Sequence, residues 1–170
     1  MELLLKTTKM KTQNNFFRKA LGFLFFISVS SVRVYSQSEE SSIKNSIENK
    51  QFVFEAQTAI PSSGISRQLT SLYDLKVSKN SVVSSLPFFG RAYSLPYGST
   101  EGGFNFTSNK FDYSVVSRKK GGWDISIKPK DIQDFREFSL SISENGFGTL
   151  QALSNNRQPI SFTGRIMPIK

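Results

Sequence analysis

From Gln51 onward, apolar and polar residues of this chain alternate with a period of two, the signature of strands with one face buried. Phe52, Phe54 and Ala56 alternate with polar or small neighbours, and Ala59-Ile60-Pro61 with Ser62-Ser63-Gly64 closes the run. Leu72 to Val77 alternates again, Lys79-Asn80 supplies a tight turn, and Ser81 to Leu86 returns from it. Gly103 to Phe106 and Phe111 to Val115 flank the turn-like Ser108-Asn109-Lys110. Trp123 to Ile127 follows the Lys-Lys-Gly-Gly turn at 119–122. Phe138 to Ile142 runs into Glu144-Asn145-Gly146, where Asn-Gly is a strong short hairpin signal. Gly148 to Leu153 returns, Asn155-Asn156 turns once more, and Ile160 to Ile166 ends the series.

This pattern predicts an all-β domain over 51–170: one antiparallel meander of about eight strands. Such a meander hides its edges by closing, fully or partly, into a lipocalin-like barrel; a two-sheet sandwich is the alternative. A membrane barrel needs strands of about 9–11 residues with an apolar outer band. The strands here read as mostly five to seven residues, and many outward positions are Ser, Lys, Asp or Asn, so the pattern favours a soluble barrel.

Upstream the character changes. Arg18 and Lys19 precede an apolar stretch from Leu21 to Val32, the length of a signal-peptide core and too short to span a bilayer. Val34-Tyr35-Ser36 offers a cleavage site, so 1–36 reads as a signal peptide cut after Ser36, with Met1 or Met10 as the start. Residues 37–50 read as a polar linker or short helix whose Ile43 and Ile47, four apart, make one apolar ridge.

Composition then limits the chemistry. There is no cysteine and no histidine, which excludes thiol nucleophiles, disulfides, thiolate and imidazole metal sites, and the Ser-His-Asp arrangement. A lipid-bearing cysteine anchor is likewise absent. Hydrophobic residues make up 38%, below the usual share of about 45–50%, but 16 of them are Phe, which bury large areas each. The net charge of +9 is spread between the export segment and the domain. Its tightest cluster, Arg118-Lys119-Lys120, reads as a solvated hairpin tip, not a nucleic-acid-binding stripe.

Three stretches carry a resemblance: FVFEAQTAIPSSG at 52–64, SSLPFFGRAYSLPYGSTEGGFNF at 84–106, and LSNNRQPISFTGRI at 153–166. Together they resemble the DUF4251 family, exported proteins of Bacteroidetes-type bacteria without an assigned function. LPFFGRAY is the specific part. The resemblance implies an exported β domain of lipocalin-like barrel topology and carries no catalytic residues.

Strand patterning does not explain Leu86 to Tyr93. Pro87 cannot donate a ladder hydrogen bond, and Phe88 and Phe89, being adjacent, point to opposite sides of an extended chain. Arg91 and Tyr93 share a face, where a guanidinium beside a phenol suits an anionic group. Pro87, Phe88, Phe89, Arg91, Tyr93 and, on the following Gly- and Ser-rich loop, Tyr97 are therefore the candidate ligand or partner contacts. The alternative is a structural plug, with a Phe capping the core and Arg91 paired to a local acid. Asp131, Asp134 and Glu137 read as a solvated acidic turn instead of a calcium site. Asp112 and Asp124 stand on neighbouring strands as a glycosidase pair would, at a separation the sequence leaves open. Arg157 and Arg165 read as exposed charges.

These readings lead to an exported, non-enzymatic binding module of the periplasm or cell surface. No cofactor, metal or nucleic acid is expected, and no membrane span after cleavage. Its ligand would be a small apolar or amphipathic molecule. The alternatives are a protein–protein interaction module of the cell envelope and a carboxylate-dependent glycan hydrolase. Terminal sequencing of the protein isolated from the cell envelope should read from Gln37; a chain still beginning at Met1 or Met10 would remove the cleavage site.

Overall fold

A computed structural model describes residues 39–62, 64–93 and 102–169; the expected signal segment and Tyr97 lie outside these residues. The described part opens with a helix, α1 (39–48), that presents Ile43 and Ile47 as a buried ridge. Lys50 ends it in the left-handed region (φ 55°), where Gln51 N–H reaches back to Ser46 O (2.8 Å) and Lys50 N–H to Ile47 O (3.2 Å). This is the crossed pair of bonds that closes many helices.

Ten strands follow: β1 (Phe52–Pro61), β2 (Arg67–Gln68), β3 (Asp74–Val77), β4 (Val82–Leu86), β5 (Phe104–Ser108), β6 (Phe111–Ser117), β7 (Trp123–Pro129), β8 (Phe135–Ile142), β9 (Phe147–Ser154) and β10 (Ile160–Pro168). They form one antiparallel sheet in the order β5-β4-β3-β1-β10-β9-β8-β7-β6, with β2 also on β1. The sheet curls into a nearly closed barrel. The two-sheet sandwich does not occur.

Turns chosen by local chemistry fall where the sequence puts them. Ser78 N–H donates to Ser81 O across Lys79-Asn80, and Gly121, Gly122 and Gly146 adopt positive φ in the β6–β7 and β8–β9 hairpins. Ser108-Asn109-Lys110 behaves differently. Nine alternating strands lie on the path from β5 to β6, so these two run in the same direction, and the residues between them bend a strand without reversing it. β5 pairs with β4, β6 with β7, and neither pairs with the other. β2 and β3 likewise both lie on β1, separated by an excursion at 69–73. Merging each such pair reduces ten segments to eight strands around the barrel.

The bend is held from a distance. Asp131, in the β7–β8 loop, accepts hydrogen bonds from Asn109 N–H (2.8 Å), Lys110 N–H (3.2 Å) and the Ser108 hydroxyl. The Ser108 hydroxyl first, then the Asn109 amide, hold the Asp131 pKa below the ordinary 3.8.

Inward positions of every long strand are apolar. Phe52, Phe54, Phe138 and Phe162 are fully buried, as are Leu75, Leu86, Ile127, Leu140 and Leu150. Each such side chain contributes about 1.5–3 kcal/mol by leaving water. Outward neighbours such as Lys76, Asp124, Lys128, Ser139 and Gln151 are exposed. α1 packs where β1 begins and β10 ends. The Tyr113 hydroxyl donates to Ile47 O (2.7 Å), and burial raises the Tyr113 pKa. No helix among the described residues is long and apolar enough to cross a membrane.

Gly164 of β10 lies close against β1, next to an irregularity in β1 between Ala56 and Thr58. A Cβ on Gly164 would lie 2.0 Å from Glu55 O and 2.9 Å from Phe54 Cζ. Gly164→Ala should therefore destabilise the fold by about 3 kcal/mol, the upper part of the overpacking range, measured by urea unfolding. Asp131→Asn should lower the melting temperature at neutral pH. A depressed carboxylate pKa stabilises the fold above its unfolded value, near 3.8, and that gain is lost as pH falls through the folded value. The melting curves of the two proteins should accordingly converge in acid; a gap independent of pH would exclude this role.

Candidate functional site

Pro87 ends the β4 ladder because it has no N–H to offer. The chain beyond it crosses the barrel end opposite α1, where it meets the β9–β10 loop. Gln158 N–H donates to Arg91 O (3.1 Å), Tyr93 N–H donates to Asn156 O (2.7 Å), and Ala92 bridges to Arg157. Three residues of the LPFFGRAY segment are thus pinned as a short ladder.

The two phenylalanines are both half-buried against the core, and neither stands free. Phe88 folds back over Gly90, where a Cβ would sit 2.8 Å from the ring. Its ring meets Phe104 edge-on (5.6 Å), Phe104 meets Phe135 (5.3 Å), and Phe135 meets Phe138 (4.3 Å). A file of aromatic rings therefore leads from the rim to the barrel interior. The Arg157 guanidinium lies over Phe88 (5.2 Å) and Phe104 (5.3 Å) and donates to Gly103 O (2.9 Å). The Arg67 guanidinium lies over Phe89 (4.8 Å). Contacts of this kind contribute about 0.5–1 kcal/mol at exposed sites and more when shielded.

Of the sequence-derived contacts, Pro87 is half-buried, Phe88 and Phe89 serve packing, and Arg91 and Tyr93 face solvent. Arg91 makes no ion pair with a described residue, and Glu101, the nearest following acid in sequence, lies outside the described residues. Arg67 and Arg157 were not legible as site residues, since each stacks on a ring distant in sequence. Arg157, read as an exposed charge, is half-buried, and Arg165, read the same way, lies over Phe147 (5.2 Å).

The acidic residues divide among separate tasks. Asp134 accepts from Asn156 Nδ2 (2.8 Å), and Glu137 accepts from the Ser126 hydroxyl (2.6 Å). Asp112 stands opposite Lys128 and pairs with Lys130 (2.6 Å); Asp124 stands opposite Val116 and pairs with Arg118 (3.8 Å). Asp112 and Asp124 are both exposed and do not face one another. A surface cleft of about 420 Å³ opens between the β6–β7 and β8–β9 hairpin tips, and one of about 230 Å³ runs beside α1.

The loops at the rim also carry prominent apolar side chains. Ile65 is 86% exposed, Leu72 73% and Tyr93 71%. Ile65 lies on the connection from β1 to β2, and Leu72 on the excursion between β2 and β3. Ser62, on the first of these, donates its hydroxyl to Pro159 O, and Arg67 reaches Phe89. The loops are therefore tied to one another as well as to the barrel.

No curated protein sequence matches this chain. The crystal structure of a DUF4251 family protein from Bacteroides eggerthii DSM 20697 has a similar fold, with a TM-score of 0.58 at 18% identity over 77% of this chain and 88% of that one. A family model described as a domain of unknown function, DUF4251, matches residues 35–166. The chain belongs to the DUF4251 family.

Proposed function

We propose that this protein is an exported, non-catalytic interaction module of the cell envelope, which holds a protein partner through the rim loops of its barrel. The observation that carries the reading is the exposure of Ile65, Leu72 and Tyr93 on loops braced by arginine–aromatic stacking and backbone pairing. Large apolar groups on an ordered surface favour association, since covering them removes apolar area from water. Arg91 adds a solvent-facing guanidinium beside Tyr93, a residue pair common among binding hot spots.

The reading of a small apolar ligand within the barrel draws less support. Phe52, Phe54, Phe138, Phe162 and their neighbours fill the inward positions, so an interior guest would have to displace close-packed side chains. Export rests on the basic flank and apolar core at 18–32.

A photoreactive amino acid at position 72 or 93 should give a discrete protein adduct in intact cells, and one at the outward-facing Gln151 should not. Leu72→Ser with Tyr93→Ser should remove the adduct formed from position 65 while changing stability by less than about 0.5 kcal/mol each. Absence of adducts from all three rim positions would overturn the proposal. So would a small molecule retained in the native mass spectrum of the purified protein, which would return the ligand reading.

A further inference from the structure

The barrel has a notch. The β3–β4 hairpin turns at 78–81, level with Ser108, because Val82 is the partner of Ser108. No described strand accompanies β6 on the side away from β7. Two backbone bonds bracket the β6–β7 ladder: Arg118 N–H to Gly122 O (3.0 Å) and Lys130 N–H to Lys110 O (2.7 Å). Both involve even-numbered positions of the β6 side. Alternation therefore turns the backbone groups of Asp112, Ser114 and Val116 toward β7, and those of Phe111, Tyr113, Val115 and Ser117 toward the notch. α1 and Lys50 cover side chains of this strand, since Lys50 Nζ lies 5.2 Å from the Tyr113 ring, but they offer these backbone groups no hydrogen bond.

An edge of this length is ordinarily guarded by proline, charged side chains, a bulge or a covering helix. β6, reading FDYSVVS, has no proline, lysine or bulge; its one charge, Asp112, is paired with Lys130, and Val116 on its outer face is 63% exposed. Phe111, Tyr113 and Val115 remain half-exposed on the inner face. The surroundings are basic: residues 110–130 hold Lys110, Arg118, Lys119, Lys120, Lys128 and Lys130 against Asp112 and Asp124. Both acids are already paired, whereas Lys110 at one end of β6 and Lys119 and Lys120 at the other have no ion pair among the described residues.

We propose that the free edge of β6 is a strand-addition site for an extended segment of another polypeptide, apolar at alternate positions and acidic at its ends. N–H and C=O groups at every second residue, without a partner strand among the described residues, supply the pairing chemistry, the half-exposed stripe supplies the apolar contact, and the flanking lysines select for carboxylates. This surface is separate from the rim loops, and cross-linking at positions 65, 72 and 93 does not report on it.

The test uses synthetic peptides of alternating Val and Thr, flanked either by Glu pairs or by Lys pairs, added to the purified protein. The Glu-flanked peptide should slow amide exchange at Phe111, Tyr113, Val115 and Ser117, and should bind at least about tenfold tighter than the Lys-flanked one. Val115→Pro removes one outward N–H without touching the β6–β7 ladder, and should weaken binding about tenfold. Should that variant fail to fold, Lys110→Glu with Lys119→Glu tests the charge selection independently and should reverse the preference between the two peptides. Unchanged exchange at the four amides, or equal binding of both peptides, would overturn the proposal. Protection of the same amides without peptide, rising with protein concentration, would overturn the choice of partner, because a second copy of the chain would then fill the edge.

Discussion

The ladder between the first and last strands is the constraint on which the remaining architecture depends. From Phe52↔Pro168 to Pro61↔Ile160 it joins a half-barrel built of β1 to β5 to one built of β6 to β10. Both halves bury their large side chains against this seam: Phe54 and Phe162 are fully enclosed, and Ile166 nearly so. Gly164 sets how near the two backbones come, because its missing side chain is where Glu55 O lies.

Given that ladder, direction explains the notch. An odd number of alternating strands leaves the two outermost members parallel, so they cannot meet as a simple hairpin would. The chain solves this by making them consecutive halves of one bent strand, with Asp131 supplying acceptors for the amides at the bend. Among the described residues, one side of β6 is left unaccompanied. The aromatic file from Phe88 to Phe138 runs in from the rim at the other end of the barrel, with Arg157 stacked above it and Arg67 above the neighbouring Phe89.

Much of this was legible where the controlling chemistry is local. Period-two alternation located the long strands, and Lys79-Asn80, Gly121-Gly122 and Asn145-Gly146 located tight turns, because a turn's backbone demands are met by the residues in it. Ile43 and Ile47 disclosed the buried face of α1 for the same reason. Ser108-Asn109-Lys110 misled because its outcome is decided by a carboxylate 22 residues away from Asn109. Phe88 and Phe89 were recognisable as unusual from Pro87 and from their adjacency, but Arg67 and Arg157 were not, as nothing near them in sequence marks a stacking partner. The two-residue strand β2 carries no pattern at all and exists only because β1 runs on past β3.

The pairing of the outermost strands also orders events in time. Phe54 meets Ile166, and roughly a hundred residues must be in place before that contact forms. Sheets closed by such distant partners assemble late, since a long loop must be ordered before the contact that rewards it. A chain synthesised N-terminus first presents β1 with one side unmatched until β10 emerges. Until then its strands form an open sheet, whose unpaired edge must be kept from other nascent strands.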